Sequence, residues 1–169
     1  MSKKLQALMV VLSVFLMQLT AFPVQAVNPS SYRVSAIKAY LFYHENGEFS
    51  KLDIINGKDV SLWNTVIGEG SAAMPSSITL ILVEVRGTSF LAETPGKLSV
   101  TVTKGKKTSS KQIVALNEMF SENGKSVQFP VLIYNTDCET VKITATIQGL
   151  PGVLKPNTMV KEIDFACGE

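Results

Sequence analysis

Apolar and polar residues alternate with a period of two in several stretches of the chain. Leu98, Val100 and Val102 alternate with Ser99, Thr101 and Thr103. Val141, Ile143, Ala145 and Ile147 alternate with Lys142, Thr144, Thr146 and Gln148. Ile163 and Phe165 alternate with Glu162 and Asp164. Successive strand side chains point to opposite faces, so this spacing puts one set in a core and the other in water. β-Branched residues dominate the runs, as a half-buried pleated surface favours. Two runs, 78–85 and 127–134, are apolar on both faces and are expected to be central strands. The pattern predicts strands at 34–43, 48–55, 58–63, 77–86, 97–103, 111–117, 126–134, 140–148 and 158–166. Residues 114–120 also read as a short helical segment.

Turn signals separate the runs. Asn46-Gly47, Asn56-Gly57 and Asn123-Gly124 supply the positive φ angles of tight hairpins. Pro95-Gly96 and Lys104-Gly105 mark two further turns. No internal repeat and no long helical period is present. The fold expected is all-β: an antiparallel β-sandwich of about 8–9 strands.

The first residues break this pattern. Lys3 and Lys4 precede a stretch, 5–22, that is apolar except for Gln6, Ser13, Gln18 and Thr20. Pro23 ends it, and Val24-Gln25-Ala26 offers short side chains for cleavage. This is the pattern of a secretory signal peptide, and it is slightly short for a membrane anchor. The expected organisation is a cleavable signal at 1–26 and one β-sandwich domain at 27–169, with no stable membrane span after cleavage. The only Asn-x-Ser acceptor pattern, Asn28-Pro29-Ser30, is closed by its proline. Together these features predict a periplasmic or extracellular protein, of a bacterial kind.

Cleavage changes the charge. The chain carries 16 basic and 14 acidic residues. Without Lys3 and Lys4, 14 face 14, and the net charge vanishes. A neutral chain has no global field to steer it to nucleic acid. Moderate charge density predicts a monomer or a weakly associating chain. The two cysteines, Cys138 and Cys167, are expected to form a disulfide in an oxidising compartment. One precedes the strand at 140–148 and the other follows that at 158–166, so antiparallel pairing brings them to one end. A closed loop of about 30 residues stabilises by about 3.5 kcal/mol through unfolded-state entropy. The bridge is expected to be buried or half-buried, and unreactive because no C-x-x-C pair poises it.

Signatures of chemistry are sparse. His44 is the sole histidine, which excludes a His-rich zinc site. It sits beside the Glu45-Asn46-Gly47 turn, where an exposed histidine is the simplest reading. A hydrolase would need His44 with a distant acid and nucleophile, and no G-x-S-x-G elbow accompanies it. Asp53, Asn56, Asp59 and Glu69 offer hard oxygens, but no calcium-loop spacing joins them, so no metal and no cofactor are expected. Lys104, Lys106, Lys107 and Lys111 make a basic hairpin, read as a guard against edge pairing.

The segment 62–75 is the longest connection between expected strands and holds the sole tryptophan. Trp63, Asn64 and Glu69 combine an aromatic face with amide and carboxylate groups, while Gly68 and Gly70 free the backbone. Pockets combine apolar walls with a few placed polar groups, so this loop is the candidate binding site. The simpler expectation places Trp63 in the core, with Glu69 solvated. The function expected is an exported, non-enzymatic binding or structural module for an unknown protein or carbohydrate ligand. A hydrolase using His44 and a surface-fibre or assembly subunit are the alternatives.

Overall fold

The computed structural model describes residues 32–87, 96–116, 126–136, 138–150 and 156–168. The signal at 1–26, the Asn123-Gly124 turn and most of the alternative helix at 114–120 lie outside the described residues.

Eight strands form among the described residues: β1 (Arg33–Tyr43), β2 (Glu48–Phe49), β3 (Ile78–Arg86), β4 (Lys97–Lys104), β5 (Lys107–Ala115), β6 (Ser126–Tyr134), β7 (Thr140–Gln148) and β8 (Asn157–Asp164). They make two four-stranded sheets, β2-β1-β3-β6 and β5-β4-β7-β8. Every pairing between strands is antiparallel. The fold is thus the antiparallel β-sandwich that the alternation implies.

The inner faces interlock into one core. Ile37, Ala39 and Leu41 of β1 and Ile81, Val83 and Val85 of β3 are buried. Leu98, Val100 and Val102 of β4 and Val141, Ile143 and Ile147 of β7 face them, also buried. Burying each such Val, Leu or Ile stabilises by about 1.5–3 kcal/mol.

Three strand expectations are corrected. Of 48–55 only Glu48–Phe49 pairs as a strand, and 58–63 forms none. The reason lies along the outer edge of β1. Ser50 N–H donates to Leu41 O (2.7 Å), and Ser50 Oγ accepts from Leu41 N (3.0 Å). Ile54 N–H donates to Ala39 O (2.9 Å), and Asp53 Oδ1 accepts from Ala39 N (3.1 Å). Asn56 Nδ2 donates to Ile37 O (3.0 Å). Polar side chains thus take over bonds that a partner strand would make, and the backbone at 50–56 turns instead. The Asn56-Gly57 pair accordingly belongs to this turning segment and not to a hairpin.

The third correction concerns 126–134. β3 is interior to its sheet, as two apolar faces suggested, but β6 is an edge strand. Pro130, directly opposite Leu82 of β3, has no N–H to give a ladder. Proline in a sheet is confined to such edges. β5 also begins earlier than expected, at Lys107, because Gly105 (φ 52°) turns the chain tightly after Lys104.

The disulfide Cys138–Cys167 joins the start of β7 to the residues after β8, with Cα atoms 5.2 Å apart. Thr140 lies opposite Asp164, so the bridge continues that ladder by covalent means. Cys167 is half-buried, whereas Cys138 is exposed, contrary to the expectation of burial. Cys138 lies outside the strand, before β7 begins at Thr140.

Candidate functional site

The loop at 62–75 is fastened to the chain segment after β8. Leu62 is buried and anchors the loop to the core. Ala166 N–H donates to Leu62 O (3.1 Å), and Asn64 N–H donates to Ala166 O (2.8 Å), a parallel bridge between Trp63 and Ala166. Asn64 then adopts φ 48°, a left-handed conformation that asparagine tolerates. A 3-10 turn, Thr65–Ile67, follows and ends at Gly68 (φ 82°).

Asn64 and Glu69 come together, but on each other. Asn64 Nδ2 donates to Glu69 Oε2 (2.8 Å), and Asn64 Oδ1 accepts from Gly168 N–H (2.8 Å). Gly70 takes φ 66°, and a Cβ there would lie 2.5 Å from Ser61 O. The two glycines therefore shape the backbone, and the two polar side chains hold the turn and the segment at 166–168.

Trp63 is corrected from a core position: it is 46% exposed. Its ring lies over Gly168, where a Cβ would stand 2.7 Å from ring carbon Cζ2. The missing side chain of Gly168 makes room for an indole outside the core. Ile67, 65% exposed, shares this loop.

The remaining sequence candidates are separate. His44 is exposed in its turn, edge-on to Phe42, with Nε2 3.4 Å from Ser77 Oγ. Among the described residues no carboxylate bonds to His44. Asp53 and Asn56 are occupied by the β1 edge, and Lys161 Nζ donates to Asn56 Oδ1 (3.3 Å). No group of three or more His, Cys, Asp or Glu is placed to hold a metal ion among the described residues. At the basic hairpin a cleft of about 410 Å³ lies between Lys104, Lys106, Lys107 and Glu139. Lys104 Nζ caps the end of β6, donating to Tyr134 O (3.2 Å) and Asn135 O (2.9 Å).

Two features escaped the sequence reading. The first is an apolar groove of about 300 Å³ between Phe49–Leu52 and Ser71–Met74, walled by Tyr43 and Met74. Tyr43 OH accepts from Ala73 N–H (3.1 Å) there.

The second feature is larger: the outer face of β2-β1-β3-β6. The register sets Phe49, Phe42, Ile78 and Tyr134 in one row across the sheet. Tyr40, Leu80 and Leu132 form the next row, and Lys38, Leu82 and Pro130 the third. None of these side chains is buried; Phe49, Leu132 and Tyr134 are 43%, 45% and 59% exposed. A row of polar residues, Glu84 and Gln128 beside Ala36, follows, and then Arg86 and Ser126.

Glu84 is the one nearly buried carboxylate on this face, at 8% exposure. Arg86 Nε donates to its Oε1 (2.6 Å), Ser126 Oγ to Oε1 (3.1 Å) and Gln128 Nε2 to Oε2 (3.3 Å). The Arg86 bond above all, against the opposing effect of burial, holds the carboxyl down at about 2. The signal for this face was present in the two-sided apolarity of 78–85 and 127–134. It indicated an apolar outer surface as well as a strand interior to the sheet.

No protein-family model matches the chain, and no curated protein matches it in sequence. Fold and geometry therefore carry the functional argument: a disulfide-bridged antiparallel β-sandwich with one apolar outer face. Among the described residues, no helix is long and apolar enough to cross a membrane.

Proposed function

We propose that the chain is an exported, non-enzymatic binding module of the periplasm or extracellular space, and that it meets its partner through the outer face of β2-β1-β3-β6. The observation that carries this reading is two apolar rows, Phe49, Phe42, Ile78 and Tyr134, then Tyr40, Leu80 and Leu132, continued by Leu82 and Pro130 beside Lys38, on an exposed sheet face. Contiguous apolar patches beyond a few hundred Å² are uncommon on monomers and mark interaction sites. The disulfide is compatible with an oxidising compartment. Strand addition at an edge, as a fibre subunit would require, is disfavoured by Pro130 on β6 and by the bonded edge of β1. In the Trp63–Gly70 loop Asn64 and Glu69 are bonded internally, which leaves Trp63 and Ile67 as its outward groups.

The test is site-specific photocrosslinking in the native compartment. A crosslinker at Leu132 should give adducts, and one at Thr144, on the opposite sheet, should give none. Equal yields at both positions, or none at Leu132, would remove the face from consideration.

A second reading rests on the 3.4 Å approach of Ser77 Oγ to His44 Nε2. A hydrolase built on that pair requires His44 for turnover. We expect His44→Ala to leave behaviour on ester, glycoside and peptide substrates unchanged. Activity present in the native chain and absent from His44→Ala would put the enzyme reading first.

A further inference from the structure

We infer that the Cys138–Cys167 bridge is a redox-sensitive clamp on the Trp63 loop. Reducing it releases residues 166–168 and the part of the loop they hold, while the sandwich stays folded.

The two ends of the bridge are held unequally. On the Cys138 side the chain is fixed by bonds that do not involve the bridge. Thr136 is buried, its N–H donates to Ser77 O (3.0 Å), and its Oγ1 lies 3.0 Å from Thr79 Oγ1. Lys104 Nζ donates to Asn135 O (2.9 Å). Thr140 opens β7 opposite Asp164 and donates its hydroxyl to that carboxylate (2.9 Å).

On the Cys167 side the ladder of β8 ends at Asp164, and Phe165 is the last buried side chain among the described residues. Ala166 and Gly168 are exposed. Their backbone bonds all go to the Trp63 loop: Ala166 N–H to Leu62 O, Asn64 N–H to Ala166 O, and Gly168 N–H to Asn64 Oδ1. Cys167 stands between these two residues. Among the described residues the bridge is therefore the one covalent or hydrogen-bonded tie from 166–168 to anything but the loop itself.

The loop depends on that tie in turn. Asn64 holds its left-handed turn with its N–H on Ala166 and its Oδ1 on Gly168. The Trp63 ring rests on Gly168. The remainder of the loop has other anchors: Leu62 and Thr65 are buried, Ser71 N–H donates to Ser61 O (2.7 Å), and Ser76 N–H to Thr65 O (2.9 Å). Release is thus confined to Trp63, Asn64 and 166–168. Local opening of this kind belongs to segments with exposed hydrogen bonds and few buried contacts.

Spacing alone predicts an unreactive bridge, but exchange also depends on access, and Cys138 is exposed. The reductant is a dithiol. Its thiolate attacks Cys138 Sγ, a mixed disulfide forms, and Cys167 Sγ leaves as a thiolate that takes up a proton. The second thiol of the dithiol then attacks the mixed disulfide and frees Cys138. Two electrons and two protons pass to the protein, and the dithiol becomes a disulfide. Attack at the exposed sulfur thus liberates the half that holds the loop.

Treatment of the exported, oxidised chain with dithiothreitol, without denaturant, tests this. Alkylation and intact mass should count two released thiols. Far-UV circular dichroism should stay unchanged, and amide exchange at Val83, Val100 and Ile143 should change by less than about threefold. Exchange at Asn64, Ala166 and Gly168 should accelerate by at least about 10-fold, and reoxidation should restore it. Cys138→Ser combined with Cys167→Ser should show the same pattern without reductant. In that variant acrylamide quenching of Trp63, the sole tryptophan, should rise toward that of a free indole. A bridge that resists dithiothreitol overturns the inference. So does unchanged protection at Asn64, Ala166 and Gly168 once both thiols are free. Loss of the circular dichroism signal on reduction would make the bridge a brace of the whole sandwich, and overturns it as well.

Discussion

In the sheet β5-β4-β7-β8 the outward positions of the inner strands are Lys97, Ser99, Thr101 and Thr103 on β4 and Lys142, Thr144, Thr146 and Gln148 on β7. In β2-β1-β3-β6 the corresponding places hold Lys38, Tyr40 and Phe42 on β1 and Ile78, Leu80 and Leu82 on β3, with Glu84 and Arg86 only at the far end. Both sheets bury a similar aliphatic inner face, so the core does not account for this difference. The polar sheet is finished as water demands. The apolar one is finished only when covered, and it sets the contact surface proposed above. The two sheets are also fastened differently. The polar sheet has a covalent tie between β7 and the residues after β8, while the edge of the apolar sheet is held by side-chain hydrogen bonds.

That contrast in fastening can be broken directly. The largest effect should come from the polar sheet. Replacing both cysteines by serine should lower unfolding free energy by about 3.5 kcal/mol in chemical denaturation, because a closed loop spanning 29 positions is opened. A loss below about 1 kcal/mol would mean that the unfolded chain is already compact and the bridge constrains little.

The apolar sheet should respond to one carboxylate. Asp53 Oδ1 accepts from Ala39 N (3.1 Å) and Ile55 N (3.1 Å), and its Oδ2 accepts from Asn56 Nδ2 (2.8 Å). Asp53→Ala should cost about 2 kcal/mol, since it leaves the partly buried N–H of Ala39 without its acceptor. Hydrogen exchange should accelerate at Ala39 and Leu41 and remain slow in β4 and β7. Uniform acceleration across both sheets would show that the edge does not open independently.

The smallest effect is one of pH. Glu84 is held at about 2, below its ordinary 4.5. A depressed carboxylate contributes stability that is complete above the unfolded value and is lost as pH falls through the folded one. The melting temperature of the native chain should therefore drop between about pH 4.5 and about pH 2. Glu84→Gln should melt lower at neutral pH and converge with the native chain near pH 2. Parallel curves over the whole range would remove the Arg86–Glu84 pair as the cause.

The polar sheet was the legible one. Its strict alternation at 97–103 and 140–148 fixes both strand and face, because only a half-buried strand needs that pattern. The disulfide was legible from compartment and parity together. The region 48–63 was not. Its apolar residues imitate a strand, yet Ser50, Asp53 and Asn56 act as backbone substitutes, and no period records that competition. β6 misled for a related reason: two apolar faces mean two covered faces, and nothing local says whether the cover is the chain itself. Trp63 misled because its neighbour, Gly168, lies 105 positions away in sequence, beyond any local pattern. Residues 63, 64, 68, 69 and 70 are neighbours in one loop by sequence alone, but the hydrogen bonds that fasten Asn64 to Glu69 and Gly168 became visible only with the fold.

The fastening of the Trp63 loop has a consequence in time. Gly168 and Asn64 meet across 104 positions, Lys161 and Asn56 across 105, and Asn157 and Val34 across 123. A tight turn such as that after Lys104 lets β4 and β5 meet within microseconds. Contacts of the longer range form only after most of the chain has been gathered in, and a topology rich in them folds over milliseconds to seconds. Until then the aliphatic inner faces of both sheets lie open beside unpaired strand edges. The slowest contacts of this sandwich thus set how long its core stays open to other chains.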